Sequence, residues 1–362
     1  MAGPRLGDAE IEAVAAVLRS GGLVQGPVVE RLEGQFRELT GRQHAVAVSS
    51  GTAALHTALM AAGVGPGDEV VVPAFSFVAS ANAVLMCGAV PVFADILAED
   101  FSVDPAALER AVSAKTKAVI AVDLFGQCCD FDGVEAVAQQ HGLSVIEDAA
   151  QAVGAEFRGR AAGSLGTAGC FSMYATKVVT SGEGGVVVLD EEAMAHTARA
   201  FRRHGMTGPD QYTRLGYNYR LTDVLAAVGV EQMKRLDELV AARRRNAERL
   251  TAGLVGTHGL VVPMAVPGRK HSFAQYVVRV TDEFGMNRDE LVAALARDGV
   301  ETAVHYRTPL PFLPHLNAGP YQPGDFPEAE RAAREVLALP VHPGLSRDDV
   351  DAVVAAVRAA AN

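Results

Sequence analysis

Tryptophan is absent from this chain of 362 residues, cysteine is rare, and lysine is scarce, with four Cys and only five Lys against 27 Arg. The cysteines, at 87, 128, 129 and 170, show no C-x-x-C spacing and no surrounding histidine cluster. That excludes a disulfide framework and a zinc-ligand pattern and leaves reduced thiols, as expected in the cytoplasm. Positive charge is also short: 32 Lys and Arg face 43 Asp and Glu, for a net charge of −11. A nucleic-acid partner held by a general basic surface is therefore not expected. The longest uncharged stretch of note, residues 70–94, is broken by Pro73, Asn82, Gly88 and Pro91. It reads as buried strand, loop and helix, not as a membrane span. The N-terminal MAGPRLGDAEIE has charges and no apolar centre, so a secretory leader is not expected. Neither GxxxxGK[ST] nor GxGxxG occurs, which counts against a P-loop nucleotidase and a dinucleotide-binding unit. No HExxH pair, Ser-His-Asp order or glycosidase carboxylate pair stands out either, and no metal ligand set is expected.

What is present is ordinary globular composition, 49% apolar and 21% charged, in a length that suits one large domain plus a smaller one. Through the first two-thirds, short runs of Val, Ile and Ala alternate with helical patterns. The runs are 44–49, 69–73, 90–93, 118–122, 144–146, 168–172 and 185–189. Most are nearly uninterrupted, as strands covered on both faces should be. Helices are expected at 52–62, 77–87, 105–112, 131–141 and 191–204, with Asp104–Pro105 as a good helix start. This alternation predicts an α/β fold with a mostly parallel seven-stranded sheet flanked by helices. From about residue 222 the pattern changes. A long helix over 222–254 carries the run Arg243–Arg245, for which a solvated face is the default. A strand at 273–280, a helix at 288–298, a short strand at 301–305, a Pro-rich loop to Pro323 and a last helix at 347–361 then read as a small α+β domain.

Lys177 is the most informative residue. It is the sole charge between Ala161 and Gly182, in AAGSLGTAGCFSMYATKVVTSG. A lysine flanked by core strands is paired, exposed on a loop, or used. Desolvation would make its amine a nucleophile toward carbonyls. Asp148 ends the strand LSVIED, and the carboxyl ends of parallel strands line ligand crevices. There it either caps a following helix or faces a protonated heterocycle or a metal. An acid for a pyridinium nitrogen and a lysine for an aldehyde are the minimum set for pyridoxal phosphate (PLP). Ser49–Ala54, SSGTAA, sits between a strand and a helix and offers free N–H groups and hydroxyls to a phosphate. Ser172 is a further phosphate ligand or a core serine. Phe75 and Phe77 follow another strand end, where either stacks on a flat ring or packs in the core. His305 and Tyr306, in VHYRTPLP, touch substrate or hold the loop.

At this point five motifs, SSGTAALHTAL, PAFSFVASANAV, VIEDAAQAVG, FSMYATKVVTSGEGG and LGYNYRLTD, stand in an order that closely resembles the DegT/DnrJ/EryC1/StrS sugar aminotransferases. The similarity runs from about Leu6 to the final helix. It implies PLP-dependent transferase fold type I, with a large PLP-binding domain at 1–245 and a small C-terminal domain at 246–362. In that scheme the N-terminal segment packs either with the large domain or with the small one. The resemblance implies Lys177 as the Schiff-base lysine and Asp148 as the partner of the pyridinium nitrogen. Gln151 would lie beside the phenolic oxygen, and Gly51, Thr52 and Ser172 would hold the phosphate. Phe77 would stack on the ring. Asn218, and more weakly Arg220, would reach the phosphate of the other subunit, giving a homodimer with shared active sites. A related dehydratase branch has His where Lys177 stands, which disfavours dehydration.

The implied activity is transfer of an amino group from glutamate or glutamine to a keto group of a nucleotide-linked (deoxy)sugar. The alternatives are a cyclitol ketone as acceptor, or a non-catalytic PLP-binding regulatory protein. No membrane partner is expected. Which sugar, which carbon and which stereochemistry are not readable from these motifs.

Overall fold

A computed structural model describes residues 5–264, 266–317 and 319–361. The expected domain limits at residues 1 and 362 fall outside the described residues, as does Ala318 in the Pro-rich loop. Seven strands form the central sheet: β1 (His44–Val48), β2 (Glu69–Pro73), β3 (Val90–Ala94), β4 (Thr116–Val122), β5 (Ser144–Asp148), β6 (Ala168–Ser172) and β7 (Gly185–Leu189). Their spatial order is β1-β7-β6-β5-β4-β2-β3. Six run in one direction, and β7 opposes both of its neighbours. The carboxyl ends of the six therefore meet at one edge. Across it, Asp148 stands level with Val122 of β4 and Cys170 of β6.

The strands were predicted from unbroken apolar runs, and the packing explains them. Val186, Val187, Val188 and Leu189 of β7 are all fully buried, as is Ile146 of β5. One face of the sheet is covered by helices Gly51–Ala61, Ala79–Met86, Glu192–Phe201 and Pro327–Glu335. The other is covered by helices Pro27–Thr40, Pro105–Ala111, Phe131–His141 and Asp223–Lys234. Each buried Val, Leu or Ile side chain contributes about 1.5–3 kcal/mol to this packing.

Several elements differ from expectation. Two N-terminal helices, Asp8–Ser20 and Pro27–Thr40, were not foreseen. The second buries Val28, Val29, Leu32 and Phe36, starts on a proline in its first turn and ends at the left-handed Gly41. The helix expected over 222–254 is two helices, Asp223–Lys234 and Leu236–Leu254, because Arg235 leaves helical geometry at φ −103°, ψ 7°. Residues 301–305 do not form a strand. Only Ala303 bridges to Ala338, while Val304 and His305 turn into a cleft. Arg243–Arg245 is not a solvated face either. Arg243 is 8% exposed and donates to the Phe273 and Ala274 carbonyls, and Arg244 donates to those of His271 and Gly154.

Strand β1 is an edge, and its open side is closed by polar contacts. The Ala47 N–H donates to Glu33, whose partner Arg202 donates to the Ala47 carbonyl. The Ser49 N–H donates to the Tyr219 carbonyl, and Val48 bridges Arg220. These contacts stop further pairing at the edge and fix the 216–220 segment beside the end of β1. A third apolar core is made wholly of residues between 247 and 361, around strands Tyr276–Val280 and Val336–Leu339 and helices Arg288–Arg297 and Arg347–Ala360. Among the described residues, no helix is long and apolar enough to cross a membrane.

Candidate active site

A cleft of about 500 Å³ opens where the carboxyl ends of β1, β2, β5 and β6 meet the 304–306 loop. Nine of the residues singled out in the sequence line it: Gly51, Thr52, Phe77, Asp148, Gln151, Ser172, Lys177, His305 and Tyr306. They come from five separate stretches of chain, which only the sheet topology brings together. Asn218 and Arg220 do not line it.

The floor at one end is the start of helix Gly51–Ala61. Ser50 caps it, its hydroxyl accepting from the Ala53 N–H at 3.1 Å and its carbonyl from the Ala54 N–H. The first N–H groups of a helix have no partner within it, so those of Gly51 and Thr52 are available to an anion. Gly51 is required by close approach: a Cβ there would stand 2.8 Å from Ser172 Cβ. The Ser172 hydroxyl thus lies directly against this helix start.

Asp148 occupies the other end. No helix follows it, so it does not cap one. It accepts from the Ser80 hydroxyl at 2.9 Å and from the Ala150 N–H at 3.2 Å. Ser80 in turn lies 3.1 Å from the Ser76 hydroxyl. Burial pushes the Asp148 carboxyl up, opposed by these two donors and by the charge of Lys177. The same burial lowers the Lys177 amine, with Asp148 opposing. Among the described residues, Lys177 Nζ has no hydrogen-bond partner, and its backbone N–H is held by the Tyr174 carbonyl at 2.9 Å. An amine that loses its proton easily in a cleft can act as both nucleophile and proton carrier.

Behind Asp148 sit two more acids. Glu147 points to the opposite face of β5 and accepts from the N–H groups of Gly163, Leu165 and Gly166. Asp123, fully buried, accepts from the Cys129 N–H. Burial and the neighbouring Glu147 raise the Asp123 carboxyl, which supports one shared proton between this pair.

Gln151 is fixed at both ends of its amide: the side-chain oxygen accepts from the Phe125 N–H, and the nitrogen donates to the Tyr306 hydroxyl at 2.8 Å. Tyr306 takes the left-handed φ of 54° and packs edge-on against Phe75, with Phe77 6.4 Å away. Phe75 is core and Phe77 is 56% exposed at the cleft mouth. Burial lowers His305, and the charge of Lys177 adds to the effect. Residues not foreseen are Ser76, Glu183, Tyr174 and Gln275 on the lining and Ser80 behind it. The serines lie in an Ala-rich segment with no distinguishing signal, whereas Glu183 and Tyr174 stood within the lysine motif.

Asn218 is exposed and Arg220 partly so, on the outer side of β1. Neither side chain has a hydrogen-bond or ion-pair partner among the described residues. Pairing of Arg220 with Asp223 does not occur, because Asp223 accepts from the N–H groups of Gly26, Val28 and Val29. A larger groove of about 660 Å³ lies elsewhere, but its cations are engaged: Arg42 with Asp190, Lys270 with Glu156, and Arg160 and Arg244 with carbonyls.

The model of the DegT/DnrJ/EryC1/StrS aminotransferase family matches residues 4–358. Spore coat polysaccharide biosynthesis protein SpsC of Bacillus subtilis is 40% identical, over 98% of this chain and 95% of its own. A pleiotropic regulatory protein of Geobacillus stearothermophilus is 41% identical, over 93% and 90%. GDP-perosamine synthase of Caulobacter vibrioides is 40% identical, over 92% and 90%. Among solved structures, S. venezuelae DesV superposes with a TM-score of 0.93 at 36% identity, covering 98% of this chain and 94% of that one. A protein of Streptococcus pneumoniae described as a sugar aminotransferase, solved in its PLP form, gives 0.93 at 30% identity, covering 99% and 97%.

Proposed function

The chain belongs to the DegT/DnrJ/EryC1/StrS aminotransferase family and is a PLP-dependent aminotransferase, and from that premise we propose that it aminates a keto group of a nucleotide-linked (deoxy)sugar with glutamate or glutamine as donor. The observation that carries the reading is the meeting of an unpartnered amine, Lys177, and a buried carboxylate, Asp148, in one cleft whose far end is a helix start with free N–H groups.

The residues present fit PLP. A Cβ at Gly51 would fill the space against Ser172, so the cradle is kept open for a phosphate group. When bound, PLP supplies a carbonyl carbon that exchanges amino groups and a ring that takes up carbanion charge. Gly51, Thr52 and Ser172 would hold its phosphate. Asp148 would keep a proton on the ring nitrogen, its own charge maintained by Ser80 and the Ala150 N–H. Lys177 would bond the carbonyl carbon, then, once released, carry a proton between the substrate carbon and that carbon. Phe77 would cover one ring face. Gln151, held by Phe125 and Tyr306, would present its amide at the ring edge. His305 and Tyr306 would meet the substrates.

The active site would be shared in a homodimer. Asn218 and Arg220 are polar groups whose side chains have no partners among the described residues, next to the β1 end that forms the phosphate cradle. A second copy offering its phosphate would satisfy them. Residues 1–245 would form the cofactor-binding part and 246–362 the smaller one, in a cytoplasmic enzyme. The GDP-linked amino sugar that gives the Caulobacter relative its name supports the acceptor class.

The test is spectroscopic and chemical. Glutamate should bleach the cofactor absorbance of the purified holoenzyme, and a panel of nucleotide-linked keto sugars should restore it with formation of an amino sugar identified by NMR. Restoration by a cyclitol ketone and by none of the sugars would overturn the acceptor assignment. Failure of any amino acid to bleach the band would overturn catalysis.

A further inference from the structure

On the far side of the Lys177 loop lies a second cavity, of about 170 Å³, whose charges are of one sign. Arg5, Lys177, Arg243 and His342 line it, and no aspartate or glutamate does. In a chain where acids outnumber bases, that exclusion calls for a physical cause. Arg243 is the centre of the case. It is 8% exposed, its Nη1 is occupied by the carbonyls of Phe273 and Ala274, and its Nε is buried without a partner. No carboxylate pairs with it among the described residues, and burial alone brings its pKa down to about 10. A buried cation without a counter-ion is costly, so its retention points to a charge supplied from outside the chain. Arg5 is the second basic group. Gln232 fixes its backbone carbonyl at 3.1 Å, while its guanidinium has no hydrogen-bond or ion-pair partner among the described residues.

The cavity shares lining residues with the catalytic cleft. Lys177 and Thr176 line both. Arg243 and Thr176 also line an adjoining space of about 410 Å³, together with Gln275 and His305, which belong to the cleft as well, and with the acids Asp298, Glu301 and Asp349, none of which pairs with Arg243. The phosphate cradle at Gly51, Thr52 and Ser172 takes no part in either space. We propose that Arg243, Arg5 and His342 form a carboxylate site for the amino donor, placing one carboxylate of a dicarboxylic amino acid beside Lys177 while the sugar nucleotide enters by the wider cleft. The small volume suits a carboxylate and is too small for a nucleotide diphosphate. A guanidinium matches a carboxylate with two parallel N–H groups. This assignment rests on the aminotransferase reading given above.

The experiment uses the holoenzyme, so that the cofactor phosphate already fills its cradle. Glutarate, a dicarboxylate with no amino group to react, is titrated by calorimetry, with inorganic phosphate as the parallel probe. Glutarate should bind the wild-type protein and compete with glutamate. Arg243→Met should weaken it about tenfold or more, equivalent to ~1.4 kcal/mol per decade. Arg5→Gln, at an exposed position with no hydrogen bond from its side chain to the fold, should weaken it severalfold and decides the matter if the Arg243 variant does not fold. Both variants should raise KM for glutamate without a matching loss in kcat, as removal of uniform binding does. Glutarate affinity within twofold of wild type in Arg5→Gln and in a folded Arg243→Met overturns the proposal. So does phosphate binding that depends on both arginines while glutarate binding does not, which would mark a free-anion site. Absence of bleaching by glutamate in the wild-type protein would instead strike the aminotransferase reading, while the glutarate titration still reports on the cavity.

Discussion

Replacing Asp148 by Asn isolates the charge of the acid proposed to face the ring nitrogen of the cofactor, because the amide keeps the shape and the volume. The wild-type carboxylate is 6% exposed and accepts from Ser80 at 2.9 Å and the Ala150 N–H at 3.2 Å. Removing one member of a buried, hydrogen-bonded charge pair costs about 2–5 kcal/mol. At ~1.36 kcal/mol per decade, Asp148→Asn should slow the glutamate half-reaction by roughly 30- to 5000-fold. Ser80→Ala removes one hydrogen bond to a charged group, about 1.5–3 kcal/mol at most. The loss is smaller, roughly tenfold or more, and depends on the charge being there. The assay is single-turnover loss of the cofactor band after mixing with glutamate, with circular dichroism to confirm folding. The double variant tests the coupling: once Asp148→Asn is in place, adding Ser80→Ala should cost less than about threefold, since residues in one network are not additive. A rate for Asp148→Asn within about threefold of wild type would refute the role of the charge. Full additivity would show that Ser80 acts on the fold and not through Asp148.

Lys177→Ala should leave no borohydride-reducible adduct of PLP with the protein; Lys234 and Lys270 are held by Glu231 and Glu156, so an adduct at any of the other four lysines would displace Lys177 from its role. Gly51→Ala gains up to ~1 kcal/mol of helix preference, but its Cβ would stand 2.8 Å from Ser172 Cβ, so PLP affinity should fall at least about tenfold and the melting temperature of the PLP-free protein should not rise. Burial, with Arg244 adding to it, lowers His271 to about 3. Below the unfolded pKa near 6.5 the unfolded chain takes up a proton that the folded chain refuses, so stability is lost as pH falls from there toward 3, by up to ~1.4 kcal/mol per unit. Urea unfolding at pH 7, 6 and 5 should show His271→Gln gaining on wild type over that range, and a constant difference would contradict the assignment. Mixing a Lys177→Ala chain with an Asn218→Ala/Arg220→Ala chain should restore about a quarter of wild-type activity through heterodimers with one intact site; heterodimers that form and stay inactive would end the shared-site proposal.

The sheet was legible because burial on both faces leaves few polar positions in the central strands, and those few, such as Glu147, Asp148 and Ser172, stand at strand ends. Strands β1, β2, β4 and β7 are built around buried runs of Val, Ile and Ala, whereas β6 reads Ala-Gly-Cys-Phe-Ser and the edge strand β3 begins at the exposed Val90. Helix Asp8–Ser20 was not legible for the converse reason. It buries only Val17 and Glu10, and Glu10 is inside because Gln232 donates to it at 2.6 Å. That contact joins residues 222 positions apart and leaves no local pattern. Residues 301–305 look like a strand by composition. The strands beside them pair with each other instead, and the segment is needed as cleft wall.

Lys177 could be found by elimination, since a single charge in a long uncharged stretch has few explanations. Asp123, Glu147 and Asp148 could not be ranked that way: three acids end two adjacent strands, and only the packing shows which one faces the cleft. Strand alternation separates the last two, sending Asp148 into the cleft and Glu147 to the N–H groups of 163, 165 and 166. The three arginines at 243–245 required the same reasoning on a helix. Consecutive helical residues point about 100° apart, so they cannot share one environment. Arg245 meets solvent, Arg244 ties the helix to two carbonyls, and Arg243 turns inward, donating to two further carbonyls and pairing with no carboxylate among the described residues. A run of like charge along a helix is therefore three separate questions, and the buried member is the one whose answer lies outside the chain.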